Sequence, residues 1–284
     1  MWIRWTCRDV VSWLTGSLII DGPSGPAAGP DGMRFDIITL FPELFGPFLT
    51  CGVTRRAYES GRVDVRLWNL RDYAQGNYRR VDDRPFGGGP GMVMMAEPLQ
   101  RCLEAIRADR GDRAPVVLFS PTGEKLDHVG VAGWASGAGA VLICGRYEGL
   151  DQRFIDQNVD VQISVGDFVL SGGEIAALAL LDAVARLQPG VLNDEESHQF
   201  DSFNPALDGL LDCPHYTRPE VWQGQDVPEV LLSGHHAQIE RWRRDRRLEA
   251  TLRSRPDLIE AARAAGRLDK TDERILAALA SKPT

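Results

Sequence analysis

The sequence predicts an α/β domain with a mostly parallel sheet, followed by a small C-terminal all-helical domain. Residues 116–119 and 140–144 are compact apolar runs bounded by Gly, Pro and Ser, as buried parallel strands are. These runs alternate with segments of helical spacing, which indicates helices layered on a sheet. After Gly190 the β-type runs stop, and from Glu220 onward the chain is helical and rich in Arg.

The first elements follow Met33. Residues 34–40 are largely apolar and predict a strand, and the Pro42-Glu43 pair after them is typical of a helix start. Residues 63–68 alternate apolar and polar side chains, which predicts a half-exposed strand. Residues 98–107 carry apolar side chains at helical spacing.

Two further segments define the domain boundaries. Residues 175–187 are rich in Ala and Leu on nearly all sides, which predicts a buried helix, whereas residues 192–207 are polar and predict a linker or mobile loop. We therefore expect four parts: an extension over 1–32, the α/β domain over 33–190, a linker over 191–205 and the helical domain over 206–284.

The composition is that of a globular protein, with 43% hydrophobic and 25% charged residues in a chain of 284. A net charge of −8 argues against non-specific coating of nucleic acid but leaves room for a local basic surface. The five cysteines are scattered without a C-x-x-C pair, which disfavours a disulfide framework or a zinc site and favours a reducing, cytoplasmic location. The adjacent His235 and His236 are better explained as a solvated helix start than as metal ligands.

The first 32 residues have two interpretations. Residues 10–20 are apolar and follow Arg4 and Arg8, as in a signal peptide, but a Gly/Pro/Ala stretch typical of a flexible linker comes next. The second interpretation, a dispensable extension before a domain that opens at Met33, is favoured. No run reaches the roughly 18 apolar residues of a membrane span.

The most unusual segment is the glycine-rich stretch from Val81 to Met92, Val-Asp-Asp-Arg-Pro-Phe-Gly-Gly-Gly-Pro-Gly-Met. Such a loop lets backbone approach a ligand closely, and it matches neither the P-loop nor the dinucleotide pattern. Arginines nearby favour an anionic partner, and its two Asp side chains are able to bond base edges. A plain surface turn is the alternative.

Three more glycine-containing loops follow predicted strands: residues 120–123, 144–149 and 164–174. Open α/β sheets bind ligands at the carboxyl ends of their strands. The third loop also holds an apolar triplet between glycines, which suits the grip of a flat ring. The alternative is that all three are ordinary strand-to-helix turns.

Together these blocks resemble a known family. The glycine-rich stretch, Cys-Gly-Arg-Tyr-Glu-Gly-Leu-Asp, Gly-Asp-Phe-Val-Leu-Ser-Gly-Gly-Glu and Leu-Leu-Asp-Cys-Pro-His-Tyr-Thr-Arg-Pro occur in the same order as in the bacterial tRNA (guanine-N(1)-)-methyltransferases, the TrmD family of the SPOUT superfamily. The resemblance runs from Met33 to about Ala280. Ile175-Ala176-Ala177 departs from the family's usual Leu-Pro-Ala.

The resemblance implies a SPOUT-type trefoil-knotted domain with S-adenosylmethionine in the knot loops, and a homodimer whose active sites are composite. It also implies methyl transfer to N1 of guanosine at position 37 of tRNA. No DNA or membrane partner is expected. Carried over by motif, the cofactor residues are Pro121, Gly123, Gly145, Tyr147, Glu148, Val165, Gly166, Asp167, Phe168, Val169, Leu170, Gly172 and Gly173.

The resemblance assigns catalysis to Asp201 and Arg186. N1 of neutral guanine carries a proton, so a base must remove it and a cation must hold the resulting charge on O6. Asp201 matches the family's general base, and Arg186 matches the arginine that steadies the guanine. Without the family, Asp201 would be a helix cap or linker carboxylate and Arg186 an ordinary arginine of a last helical turn. The family's mechanism includes a metal, magnesium, for which the sequence shows no dedicated ligands.

We expect tRNA contacts in both domains, at Asp82, Gly87, Gly88, Gly89, Met92, His215 and Arg218, with Tyr216 beside them. Seven arginines between residues 241 and 255 would follow tRNA phosphates; a solvated charged face is the alternative. For His215 a satisfied structural histidine is the alternative. The rivals to the enzyme are a SPOUT-like RNA-binding protein without catalysis and a ribose-methylating relative, which no sequence feature favours.

Overall fold

The computed structural model describes residues 32–193 and 198–281, and they fall into two compact units that divide between Asn193 and Asp194. The predicted extension over residues 1–32, apart from Gly32, lies outside the described residues, as do residues 194–197 of the predicted linker. Each unit is described by itself below.

The N-terminal unit is built on a five-stranded parallel sheet in the order β2-β1-β6-β5-β7. Its strands are β1 (Met33–Thr39), β2 (Val63–Asn69), β5 (Val116–Lys125), β6 (Gly139–Ile143) and β7 (Val161–Ser164). Every residue of β6 is buried, whereas the edge strand β2 is half-exposed along most of its length. These burial patterns confirm the predicted distinction between apolar runs and the alternating run.

Two short strands, β3 (Asp82–Asp83) and β4 (Val93–Met94), pair antiparallel outside this sheet. The glycine-rich segment is therefore the loop that joins two strands of a small hairpin. Within it Gly87, Gly88, Gly89 and Gly91 all have positive φ angles, a conformation that costs glycine little.

Six helices accompany the sheet: α1 (Phe45–Thr50), α2 (Arg55–Glu59), α3 (Ala96–Arg110), α4 (His128–Ala135), α5 (Gln152–Asn158) and α6 (Glu174–Ala185). A single 3₁₀ turn, Pro42–Leu44, precedes α1, as the Pro-Glu signal predicts. Asp127 and Asp151 cap α4 and α5 through their side chains. The prediction that α6 is buried on nearly all sides is wrong at two positions, because Ile175 is 57% exposed and Ala179 is exposed as well.

Alternate residues of the central strands supply two separate cores. Phe35, Ile37 and Leu142 lie in one core with the apolar face of α6, and Ile38 and Ile143 lie in the other with the apolar face of α3. Because successive strand side chains point to opposite faces, helices cover both sides of the sheet. The α/β class is confirmed, and the trefoil knot stays a prediction.

The C-terminal unit is dominated by four helices: α7 (Glu229–Leu232), α8 (His236–Ser254), α9 (Pro256–Ala264) and α10 (Lys270–Ala280). Its core contains Leu210, Leu248, Ile259 and Leu276. The helix α8 starts at His236, as the solvated histidine pair predicts. One feature is not predicted by the sequence, a short hairpin of β8 (Val221–Trp222) and β9 (Gln225–Asp226). None of the helices in the described part of the chain is long and apolar enough to span a membrane.

Candidate active site

The three glycine-containing loops lie at one edge of the N-terminal sheet. The first lies in the last part of β5, and the other two follow β6 and β7, the neighbours of β5, so all three are at the edge where the parallel strands end. The second and third loops touch directly, since the backbone N–H of Gly173 donates to the carbonyl of Gly145 over 2.9 Å. The end of β5 contacts the third loop, since Lys125 forms an ion pair of 2.5 Å with Asp167. The predicted placement after strands is confirmed for the second and third loops, and their binding of a cofactor stays a prediction.

The first loop differs in form from the prediction. Residues 120–125 continue β5, with a shift in register against β7 between Phe119 and Glu124, so a strand irregularity replaces a free loop. Pro121 lies exposed in this stretch. A Cβ at Gly123 would lie 2.5 Å from the backbone of Gln162, so the absence of a side chain there permits β5 and β7 to approach.

The second loop carries a conformational irregularity. Tyr147 has φ of +59°, which is uncommon for a bulky residue and marks a backbone held by its surroundings. Its neighbour Glu148 is exposed, and the Glu148 N–H donates to the carbonyl of Met92 over 3.0 Å. The glycine-rich loop therefore packs directly on the predicted cofactor loop, with Gly91 against the Glu148 side chain.

The third loop presents apolar side chains to solvent. Phe168, Val169 and Leu170 are 56%, 84% and 36% exposed, an apolar surface inside an otherwise polar loop. The ring of Phe168 lies over Gly166, where a Cβ would stand 2.5 Å from a ring carbon. The remaining predicted cofactor residues of this loop are Val165, Asp167, Gly172 and Gly173, the last of which is buried.

A buried ion pair beside these loops was not predicted from the sequence. Glu174, the first residue of α6, is fully buried and accepts a hydrogen bond from the hydroxyl of Thr39 over 2.9 Å. Its second carboxylate oxygen lies 2.9 Å from Nε of Arg146 in the second loop. Burial and the Glu174 charge raise the pKa of the neighbouring Cys144 thiol well above its usual value. The sequence feature that indicates this pair is a carboxylate, Glu174, at the first position of an otherwise apolar helix.

The two aspartates of the glycine-rich segment, Asp82 and Asp83, have different surroundings. Asp83 accepts hydrogen bonds from the Arg84 backbone and pairs with Arg80 at 2.9 Å, and these contacts hold the pKa of Asp83 below its usual value. Asp83 is thus engaged within the hairpin. Asp82, the predicted tRNA contact, is half-buried at the start of β3. Phe86 in the same loop is completely exposed.

Arg186 follows the last residue of α6 and lines a cavity of about 310 Å³. The cavity also contains a carboxylate, Asp182, one helical turn earlier. Its other walls come from α1 and the turn after it, at Phe48, Cys51, Gly52, Val53 and Thr54. A cation and an anion side by side match the acceptor and donor edge of a guanine base.

Asp201 lies in a turn of the C-terminal unit. The Asn204 N–H donates to the Asp201 carbonyl over 3.2 Å, and Asn204, rather than Asp201, caps the 3₁₀ turn Pro205–Leu207. The alternative that Asp201 is a helix cap is therefore wrong.

His215 and Arg218 are exposed in the C-terminal unit, as expected for RNA contacts. His215 also pairs with Asp212 at 2.9 Å, so both interpretations of this histidine retain support. Asp212, Cys213 and His215 form the one group among the described residues with three potential metal ligands close together. Since Asp212 already faces Arg247 and burial raises the pKa of the Cys213 thiol, this group is poorly suited to a metal.

The arginines of α8 are mostly committed inside the unit. Arg241 and Arg244 pair with the buried Asp272, at 3.2 and 2.8 Å, and Arg247 faces Asp212 at 3.4 Å. Arg243, Arg246 and Arg255 pair with carboxylates near them on the chain. Six of the seven arginines thus form ion pairs within the unit, and the prediction that this run follows tRNA phosphates stays a prediction.

Comparison with known proteins gives the context of these loops. Residues 33–261 match the family model described as tRNA (Guanine-1)-methyltransferase TrmD. The chain is 78% identical over 251 residues to the tRNA (guanine-N(1)-)-methyltransferase of Paracidovorax citrulli, covering 87% of this chain and 98% of the relative. The Polaromonas sp. and Janthinobacterium sp. proteins of the same name are 73% and 55% identical, with 88% and 87% of this chain covered and 98% and 100% of theirs. The chain belongs to the TrmD family of tRNA (guanine-1)-methyltransferases.

Proposed function

We propose that this protein transfers the methyl group of S-adenosylmethionine to N1 of guanosine at position 37 of tRNA. The observation that carries the proposal is the family match over residues 33–261 together with the meeting of three glycine-containing loops at one sheet edge. The relatives' shared name specifies the base and the atom that they methylate. Position 37 rests on the resemblance and is the part that the experiment below tests.

The sheet-edge loops suit the donor chemically. An adenosyl group has a flat ring with polar edges, and the loops offer exposed apolar side chains at Phe168, Val169 and Leu170 beside backbone N–H and carbonyl groups. S-adenosylmethionine supplies an activated methyl on a sulfonium. The residues proposed to hold it are Pro121, Gly123, Gly145, Tyr147, Glu148, Val165, Gly166, Asp167, Phe168, Val169, Leu170, Gly172 and Gly173.

The acceptor requires a base and a cation. Asp201 removes the N1 proton, which turns the nitrogen into a nucleophile, and Arg186 holds the negative charge that develops on O6. The cavity beside Arg186 supports its half of this assignment, because Asp182 there is able to accept hydrogen bonds from the guanine amino edge. Positioning of the two reactants for in-line transfer supplies much of the remaining rate.

Magnesium enters the proposal only through the resemblance. Two carboxylates of the loops are engaged, Asp167 with Lys125 and Glu174 with Arg146. Glu148 is exposed beside Gly91 and is the residue proposed to contact the ion, which commonly takes one or two carboxylates with phosphate and water.

The proposal extends to partners and location. The tRNA contacts are Asp82, Gly87, Gly88, Gly89 and Met92 in the N-terminal unit, with His215 and Arg218 in the C-terminal unit. A homodimer with composite active sites and a cytoplasmic location follow from the family.

One assay tests the central claim. Purified protein is incubated with labelled S-adenosylmethionine and tRNA carrying G, A or C at position 37, and the modified nucleoside is identified. We expect 1-methylguanosine from the G37 tRNA alone. A methylated ribose or another methylated base would refute the assignment, and cofactor-independent tRNA binding without turnover would favour the rival RNA-binding module.

A pair of variants tests the general base. Asp201→Asn keeps the size of the side chain and removes its basicity, so we expect kcat to fall about 10²- to 10⁴-fold. Asp257→Asn is the matched control, since Asp257 is an exposed carboxylate of the same unit that pairs with Arg255. An Asp201→Asn enzyme with wild-type kcat would remove Asp201 from the mechanism.

A further inference from the structure

One buried ion pair touches both loops that flank the proposed donor site. Glu174 is fully buried at the start of α6, and Arg146 is largely buried in the loop after β6. Nε of Arg146 and Oε2 of Glu174 lie 2.9 Å apart, yet neither atom makes a hydrogen bond within the described residues. They attract as charges, without an aligned N–H.

The contacts of Arg146 reach two other segments of the N-terminal unit. Its Nη1 donates to the carbonyl of Ser171 in the third loop over 3.3 Å. Its guanidinium lies 4.4 Å from the centre of the Phe41 ring, just after β1, as a cation–π contact does. Its backbone bridges to Gly172, where a Cβ would stand 2.5 Å from Cδ of Arg146.

Glu174 continues the connection to β1. Its Oε1 accepts from the Thr39 hydroxyl over 2.9 Å, and the Thr39 oxygen accepts from the Phe41 N–H over 3.0 Å. One chain of contacts thus runs from the end of β1 through Glu174 and Arg146 to Ser171. A buried ion pair is a weak source of stability, because desolvation offsets the attraction, so holding geometry is the more plausible contribution of this pair.

We propose that Arg146 and Glu174 are a positioning pair, which holds the second and third loops in the arrangement that binds the methyl donor. The inference rests on the proposed function, since it assigns the donor to these loops. The pair acts through Tyr147 and Gly172, its direct neighbours in the two loops, and does not itself touch the reacting atoms. Loss of the pair should weaken donor binding, because the two loops are then no longer held in the binding arrangement before the donor arrives.

The variants are chosen to separate positioning from folding. Glu174→Gln and Arg146→Met keep side-chain volume and remove one charge each, and the double variant removes both. Thr39→Val removes only the hydroxyl that bonds Glu174. Arg153→Met is the control, because Arg153 forms a pair of similar length with Asp151, the cap of the next helix, and its own side chain is largely exposed.

Four quantities are measured for each protein: thermal midpoint, Kd for S-adenosylhomocysteine, donor KM and kcat at saturating donor. We expect donor KM and Kd to rise at least tenfold in both single variants, with kcat within about threefold of wild type. The double variant should be no weaker than the worse single variant, because no unpaired buried charge remains. Thr39→Val should raise donor KM about threefold, and Arg153→Met should leave it unchanged.

A lowered thermal midpoint with unchanged donor Kd and KM would overturn the inference, since the pair would then serve the fold alone. If the charge variants do not fold, Thr39→Val decides, and an unchanged donor KM in that variant overturns the inference. Wild-type protein that binds no S-adenosylhomocysteine would refute the proposed function itself. Wild-type binding with equal Kd in all variants would refute only the positioning role.

Discussion

Substitution of Gly91 by alanine should disturb the proposed donor site from outside it. Gly91 lies in the glycine-rich loop with φ of +80°, and a Cβ there would stand 2.5 Å from Cγ and 2.8 Å from Cδ of Glu148. Glu148 must therefore move. Gly88 is the matched control, because its φ is +79° and a Cβ there would meet nothing within 4 Å.

Both variants lose stability from the left-handed backbone conformation, but Gly91→Ala alone also displaces Glu148. A left-handed conformation costs an L-residue about 1–2 kcal/mol, so both should lose at most about that much stability. This corresponds to roughly 2–4 °C of thermal midpoint per kcal/mol in a chain of this size. Displacement of Glu148 adds the loss of one charge-assisted contact to the ligand, about 1.5–3 kcal/mol, in Gly91→Ala alone. That loss is about a tenfold to hundredfold rise in donor Kd.

Isothermal titration with S-adenosylhomocysteine and steady-state kinetics measure the difference. We expect similar thermal midpoints for the two variants and a raised donor Kd for Gly91→Ala only. Glu148→Ala should match Gly91→Ala in Kd, and the combination should add little. Equal donor Kd values for Gly88→Ala and Gly91→Ala would refute the reasoning, since contact with Glu148 is the one feature that separates them.

Three further outcomes concern stability and reactivity. Asp272→Ala should destabilise the C-terminal unit by about 3–5 kcal/mol in urea unfolding, because it leaves the guanidinium of Arg244 without its buried partner, and a loss below 1 kcal/mol would contradict this. Acid should also destabilise this unit: burial acts to raise the pKa of Asp272 and of Asp212, but the hydrogen bonds and positive charges around them hold both values below normal. Their stabilisation is thus present above the unfolded pKa of about 4 and lost as pH falls below it, and Asp272→Asn should flatten that slope in unfolding measured from pH 6 to 2. Iodoacetamide should label the exposed Cys51 well before Cys102, whose pKa burial raises to about 12, and peptide mapping that finds equal rates would contradict the structure.

The sheet was predictable because local pattern and final burial agree there. The run at 140–144 is apolar throughout, and β6 is buried on both faces, whereas the alternation at 63–68 becomes the edge strand β2. The strand order was not predictable, because nothing local to a strand names its neighbours. The hairpin of β8 and β9 was not predicted either, because two residues per strand are too few to show an alternating pattern.

The loops of the candidate site were predictable from the sequence, but the ion pairs that hold them were not. Glycines after strands mark where a chain turns at a sheet edge, so the three loops could be located from the sequence. Glu174 and Arg146 are 28 positions apart, and the fold alone makes them neighbours. The same limit applies to α8: Arg244 looks like a free cation in the sequence, but Asp208 and Asp272 reach it from elsewhere in the unit.

A glycine that belongs to a family motif need not contact the ligand, because packing within the protein can require it. Gly123 and Gly173 are required by the protein itself, because a Cβ would lie 2.5 Å from the Gln162 backbone at one and 2.8 Å from Cys144 Cα at the other. A loss of donor binding on substituting either glycine would therefore follow from packing alone, whether or not the residue touches the donor. Glu148 and Phe168 are exposed in the same loops, and substitution of either by alanine creates no steric overlap. Substitutions of Glu148 and Phe168 therefore test donor contact best. A loss of donor binding there reports a lost contact, because shortening these side chains does not distort the loop by overlap.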